Sequence, residues 1–254
     1  MPDGPQAHWE AVYSQKGEQE VSWFQENPEL SLELIARAGA TPASGIIDIG
    51  GGASRLVDAL LSRGFNNLSV LDLSETALAK ARARLGAAAD KVRWIIADVT
   101  TWEVDAGYDL WHDRAAFHFL TEPAAQRAYV ERLKLALKPA GHAIIATFAL
   151  DGPEKCSGLP VARHSAETIG ALLGPEFALV DTCRHAHTTP WGSVQKFRFS
   201  TFVRSHKASE RPGPDFDDAA FFARLDALGA RDFLPDGIPD DPPAEPDPRI
   251  FFDE

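Results

Sequence analysis

The chain has 254 residues, 44% of them hydrophobic, and a formal net charge of −12. That is enough for one sizeable domain with a packed core, and so acidic a balance excludes a general nucleic-acid binder, which needs a basic surface. Two cysteines, Cys156 and Cys183, are too few for a disulfide framework, and no apolar run approaches the ~20 residues of a membrane span. The N-terminal MPDGPQAHWE lacks the basic-then-apolar order of a secretory signal, so a reducing, cytoplasmic setting is expected.

From Pro28, PELSLELIARAG has apolar residues at helical spacing, with proline early and Gly39 as a stop. SGIIDIGGG reads as a short buried strand running into a tight glycine turn. ASRLVDALLSRG is a helix capped by Gly64, LSVLDLS a second strand, and ETALAKARARLG an alanine-rich helix ending at Gly86. VRWIIADV and YDLWHD give strands three and four. A helical pattern then runs through EPAAQRAYVERLKLALKPAG to Pro139 and Gly141, before a fifth strand, HAIIATFAL. DGPEKCSGLP reads as a loop, and HSAETIGALLG as a helix that Ser165 can cap. FALVDTCRH and SVQKFRFSTFVR alternate as two last strands joined by the turn-rich TTPWG.

Strand and helix alternate from Ile46 to the fifth strand. The expected fold is therefore α/β, a doubly wound and mostly parallel seven-stranded sheet with an antiparallel edge. Composition changes near residue 207. From Ala208 to Glu254 there are thirteen acidic residues, four basic ones and eight of the eighteen prolines. Residues 1–207 are assigned to the α/β domain, with 1–40 as N-terminal lid and helices. Residues 208–254 are assigned to an acidic, proline-rich tail, largely irregular, in which DDAAFFARLDALG can form one short helix.

The chemistry concentrates in IIDIGGGASR. A glycine turn between strand and helix lets backbone approach a ligand where a side chain would block it. Gly50 and Gly52 fit the start of a dinucleotide fingerprint, but Arg55 stands where its last glycine should be. The other pattern is an acid followed two residues later by G-x-G: Asp48, Gly50 and Gly52, with Gly51 between. Asp72 follows twenty residues after Gly52, at the spacing of an acid that accepts both ribose hydroxyls. Asp98 ends strand three, so three acids lie along the carboxyl edge of the sheet, where open α/β sheets bind ligands. The alternative for Asp72 and Asp98 is capping of the elements that follow.

In order and spacing, DIGGGAS, LDLS, ADVTTW and YDLWHDRAAFHFL resemble the class I S-adenosylmethionine-dependent methyltransferases, over about residues 9–204. Within that class, HDRAAFHFL and SWFQ look most like the thiopurine and tellurite branch. The resemblance implies that Asp48, Gly50, Gly51 and Gly52 hold the methionine end of S-adenosylmethionine, Asp72 and Leu73 the ribose, and Asp98 and Val99 the adenine. Asp113 and Arg114 would sit beside the sulfonium, with Arg114 touching the acceptor. Trp23 and Phe24 would close the pocket with π faces that suit a cation.

The expected function is methyl transfer to a small acceptor, with a thiol or another soft chalcogen or metalloid favoured. A thiol of pKa ~8.5 needs little help to ionise. An amine or hydroxyl would need a base, for which His112 and His118 are the candidates, and His118 is carried with Asp113 and Arg114 as the catalytic set. Open alternatives are a protein lysine N-methyltransferase, an aminopropyltransferase-like enzyme and a non-catalytic adenosyl-ligand-binding protein. Cys183, His185 and His187 project from one face of a strand, but three ligands so close on one strand rarely converge, so no metal is expected. Cys156, after the fifth strand, could face the acceptor or simply be buried.

Overall fold

The structure is a computed structural model, and it describes residues 4–205. The tail assignment and its short helix lie outside the described residues. The elements in order are α1 (Gly4–Gln15), α2 (Glu29–Arg37), β1 (Ile46–Ile49), α3 (Leu56–Ser62), β2 (Leu68–Asp72), α4 (Glu75–Leu85), β3 (Val92–Ile96), β4 (Tyr108–Arg114), α5 (Pro123–Ala136) and β5 (Leu137–Phe148). Then come β6 (Lys155–Cys156), β7 (Leu159–Pro160), α6 (Ala166–Leu173), β8 (Phe177–Thr188) and β9 (Val194–Arg204).

Seven strands form one sheet in the order β3-β2-β1-β4-β5-β9-β8. The first five are parallel, and β9 runs against both β5 and β8. The expected antiparallel pair therefore lies at one edge, with β9 the reversed strand and β8 outermost. β1 and β2 are buried along their whole length, as continuous apolar runs covered on both faces must be. Alternation sorts their side chains. Ile46, Leu68 and Val70 pack with Leu34 and Ile35 of α2 and Leu60 of α3, while Ile47, Ile49 and Leu71 pack with Tyr129 and Leu133 of α5.

Two boundaries differ from the sequence reading. α5 stops at Ala136 rather than near Gly141, because Pro139 biases Lys138 away from helix, and 137–141 is absorbed as an irregular entry to β5. The expected loop at 151–160 contains the small β6–β7 hairpin, turned by Ser157 and Gly158 at positive φ. Ser165 caps α6 as read, accepting from Thr168 N at 3.3 Å.

The chain leaves β1 to build β2 and β3 on one side, then returns to place β4 on the other. The order reverses between β1 and β4, and a crevice opens there at the carboxyl ends of the two strands.

Candidate active site

The glycine turn leaves β1 along one side of that crevice. Gly50 has φ +64° and its N–H donates to Leu71 O at 2.7 Å. A Cβ on Gly51 would lie 2.6 Å from Asp48 Oδ2, and one on Gly52 would lie 2.8 Å from the Tyr13 hydroxyl. Asp48 itself turns inward. Its Oδ1 accepts from His112 Nδ1 at 2.7 Å, and His112 Nε2 pairs with Ser31 Oγ at 2.9 Å. Both ring nitrogens of His112 are thus engaged in the core, which removes it as a base. Asp48 lies beneath the turn rather than on the cavity wall.

A cavity of about 530 Å³ runs along the strand ends. One end is walled by Asp72 and Leu73 after β2 and by Asp98 and Val99 after β3, and Gly50 lies in its middle. Asp98 is not a helix cap. Its Oδ1 accepts from Thr100 N and Thr100 Oγ1 at 2.8 and 2.7 Å, and no donor reaches Oδ2 among the described residues. Nor does Asp72 cap α4. Ser74 does that, accepting from Ala77 N at 3.0 Å, while Asp72 Oδ1 accepts from Ser74 N at 2.8 Å.

Burial foremost, with Asp48 and Glu10 nearby, pushes the Asp72 carboxyl up to about 7 against the pull of the Ser74 and Gly52 N–H groups. A ligand that donates two hydroxyls to Asp72 favours its ionised form. If an adenosyl ligand places its ribose there, as the resemblance of the sequence implies, S-adenosylhomocysteine should bind more tightly as pH rises from about 5.5 through 7, with Tyr13 and Glu10 facing the same carboxylate. Calorimetry at several pH values should show this rise in the wild type and its loss in Asp72→Asn. A pH dependence that survives in the variant would place its origin elsewhere.

The turn after β4 forms the other wall of the crevice, and here two expectations are corrected. Asp113 does not face the cavity. It is fully buried and accepts from Ala116 N (2.8 Å), Phe117 N (3.0 Å) and Tyr129 Oη (2.8 Å), so its carboxylate holds the turn. Burial still raises it to about 6. His118 sits fully buried in the short 3₁₀ turn Phe117–Phe119, packed on Phe119 and Phe148, with no partner for either ring nitrogen among the described residues. Burial, with His164 and Arg114 nearby, holds it down to about 3, and it does not line the cavity. It is not placed as a base.

A neutral buried imidazole with two orphaned nitrogens costs stability. His118→Phe should raise stability by ~1–2 kcal/mol at pH 7, the scale of a relieved unsatisfied group. The folded-state value lies below 6.5, so the unfolded chain takes up a proton that the fold refuses, and stability falls as pH drops from 6.5 toward 3. The variant should lose that part of the acid sensitivity. Thermal denaturation between pH 4 and 7 measures both, and a destabilised variant would contradict the assignment.

Arg114 does reach the cavity. Its Nη1 donates to Trp23 O at 2.9 Å, and its guanidinium lies 5.6 Å from the centre of the Phe197 ring. Trp23 lines the cavity, and Phe24 does not. It stacks under Arg55, whose guanidinium pairs with Glu18 and Glu26. Two further aromatic residues on the wall are not marked by any sequence motif. α1 places Trp9 and Tyr13 over the cavity, where Trp9 packs edge-on against Trp23 and Phe119. Glu10 carries α1 to the first turn of α4, accepting from Glu75 N at 2.5 Å and Thr76 N at 3.3 Å. Arg84 of α4 then joins Glu18 to Asp58 and to the carbonyl oxygens of Ala53 and Ser54. A Ser/Thr-free start and weak apolar spacing hid α1 in the sequence. The aromatic spacing of Trp9 and Tyr13 was the one available signal.

Cys156, Gln195 and Phe197 close the far end of the cavity. Cys183 and His185 stand apart from it, and His187 Nε2 pairs with Ser22 O at 2.7 Å. Among the described residues no three His, Cys, Asp or Glu side chains group as a metal site, and no helix is long and apolar enough to cross a membrane.

Residues 46–141 match the methyltransferase domain family. The chain is a class I S-adenosylmethionine-dependent methyltransferase. The residue set suits that cosubstrate. Gly50 brings bare backbone at positive φ to the cavity wall, and two carboxylates, Asp72 and Asp98, mark successive strand ends beyond it. Among relatives of this methyltransferase, Nodulation protein S of Sinorhizobium fredii (strain NBRC 101917 / NGR234) is 27% identical over 179 residues, 70% of this chain and 79% of that protein. The fold is shared with the N-methyltransferase NodS from Bradyrhizobium japonicum WM9 in complex with S-adenosylhomocysteine (TM-score 0.58, 15% identity, 77% and 97% of the two chains). It is shared too with the 1,6-didemethyltoxoflavin-N1-methyltransferase of Burkholderia thailandensis (TM-score 0.57, 22% identity, 76% and 81%).

Proposed function

We propose that this methyltransferase acts on a small molecule, at an amine nitrogen or a thiol sulfur that reaches the pocket without help from a protein base. The observation that carries this is the make-up of the far end of the cavity. Arg114, Cys156, Leu159, Pro160, Gln195 and Phe197 line it, with no histidine and no carboxylate among the described residues. His112 and His118 are both withdrawn into the core.

When bound, S-adenosylmethionine supplies a methyl group already activated on a sulfonium. The chain's own residues then have three tasks. Gly50 allows close approach of the backbone, while Asp72 and Asp98 present acceptors at two strand ends, as an adenosyl group requires. Trp9, Tyr13 and Trp23 roof the pocket and exclude water, which strengthens the electrostatics within. Arg114 disfavours a proton on a neighbouring ammonium or thiol, so either nucleophile is kept in its reactive form.

Nitrogen is the first choice, supported by the N-methyltransferases that share the fold and by the Nodulation protein S relatives. Sulfur is the second, supported by the sequence resemblance and by the ready ionisation of a thiol. A product screen with labelled donor over amines, thiols and hydroxyl compounds, read by mass spectrometry beside a protein fraction, tests the proposal. Label in a small amine or thiol product supports it. Label confined to hydroxyl products or to the protein fraction overturns it.

A further inference from the structure

The guanidinium of Arg114 is only half used. Nη1 is held by Trp23 O, while Nε and Nη2 are out of contact with solvent and have no partner among the described residues. Those two nitrogens form one edge of the planar fork, and they belong to a side chain on the cavity wall. Among the described residues Arg114 forms no ion pair. Asp48, whose charge it feels, is itself bonded to His112. Burial lowers Arg114 to about 10, which still leaves it charged at neutral pH. A partly buried guanidinium without an ion pair, and with two parallel N–H groups left unsatisfied, is costly unless a ligand completes it.

We propose that the free Nε/Nη2 edge of Arg114 binds a carboxylate carried by the methyl acceptor, so that the acceptors of this enzyme are small carboxylic acids bearing the reactive nitrogen or sulfur. The inference rests on the reading above that the acceptor enters at the far end of the cavity. A thiolate is a single atom and satisfies one N–H, whereas two carboxylate oxygens match the fork edge to edge. A phosphate would bring more negative charge than the single cation balances, because Arg114 is the only basic residue among the described residues that line the cavity. Two neighbours fit the same ligand. Phe197 covers one face of the guanidinium and offers an apolar surface beside it. Gln195 Oε1, also buried without a partner and on the wall, can accept an N–H from the acceptor.

The methionine carboxylate of the donor is the other source of the same group, and the experiment separates the two. In the first arm, S-adenosylhomocysteine and 5′-methylthioadenosine, which lacks the amino-acid end, are titrated into wild type, Arg114→Gln and Arg114→Lys. The proposal expects the ratio of the two affinities to stay within threefold across the variants. A tenfold selective loss of S-adenosylhomocysteine assigns Arg114 to the donor and overturns the proposal.

In the second arm, protein saturated with S-adenosylhomocysteine is titrated with propionate, phenylacetate and indole-3-acetate, each beside its uncharged amide, and followed by calorimetry. At least one acid should bind tenfold or more tightly than its amide. That preference should vanish in Arg114→Gln and partly return in Arg114→Lys, whose ammonium keeps the charge without the fork. Equal binding of every acid and amide, no binding of any, or a preference that persists in Arg114→Gln overturns the proposal. A chain that binds neither adenosyl compound would instead overturn the donor site itself. The wild-type comparison of acid with amide needs no variant to fold.

Discussion

Replacing Asp113 with alanine is expected to cost the fold about 3–5 kcal/mol, the range for breaking a buried hydrogen-bonded network. The carboxylate is fully buried and takes Ala116 N, Phe117 N and Tyr129 Oη, the last at 2.8 Å. Alanine leaves all three donors without a partner and out of water, at ~1–3 kcal/mol each before relaxation. Burial of the carboxylate, which raises it to about 6, is a cost of the native state that alanine removes, so the net loss falls below the simple sum. Asp113→Asn keeps one acceptor oxygen and should lose less. Tyr129→Phe, which removes one hydroxyl from the same chain to Trp111, should lose ~1 kcal/mol, the scale of a single hydrogen bond.

Urea denaturation of the three variants gives the order. It also separates the two roles considered for this residue. If Asp113 holds the turn, Asp113→Asn binds S-adenosylhomocysteine as the wild type does once folded. If instead it stabilises the cationic donor, S-adenosylmethionine affinity falls in Asp113→Asn while stability does not. An alanine variant within 1 kcal/mol of wild type would remove the structural role.

The parallel core was legible because its signals are local. Ile46–Ile49 and Leu68–Asp72 are short apolar runs ended by acids and glycines, and the helices between them close on Gly39, Gly64 and Gly86. Leu73, Asp72, Asp98, Val99 and Gly50 reach the cavity from strand ends for the same reason: a strand fixes where its last side chain points. Residues whose placement depends on a partner far along the chain could not be read this way. His112 looks like a base until Asp48 and Ser31, 64 and 81 residues away, engage its two nitrogens. Asp113 looks like a pocket acid until Tyr129 of α5 is packed against it. Gln195 and Phe197 lie on β9, which sequence order separates from the site and the reversed pairing with β5 brings back. The end of α5 was misplaced because the helical periodicity carries no mark at Ala136, where the backbone simply changes from helix to strand.

Gly50→Ala is expected to have the largest effect on donor binding of any single methyl group added to this protein. Gly50 has φ +64°, so alanine there carries backbone strain of roughly 1–2 kcal/mol. The added Cβ would also lie 2.6 Å from the Cβ of Ala116, a contact that forces the two walls of the crevice apart, at a further ~1–3 kcal/mol for overpacking. That displacement falls on the backbone between Asp72 and Arg114, so S-adenosylhomocysteine affinity should drop at least tenfold.

Two companions isolate the cause. Gly64 has φ +85° with nothing within 4 Å of its missing Cβ, so Gly64→Ala carries the strain without the clash, and donor affinity should stay unchanged. In the double variant Gly50→Ala with Ala116→Gly, the second substitution removes the atom that the first one meets. The pair should therefore recover part of the lost stability and affinity, giving a coupling of ~1–2 kcal/mol in a double-mutant cycle between contacting residues. Additive losses in that cycle would mean that the walls do not meet as described. A Gly50→Ala protein that binds S-adenosylhomocysteine normally would mean that close approach of the donor to this turn is not what the glycine provides.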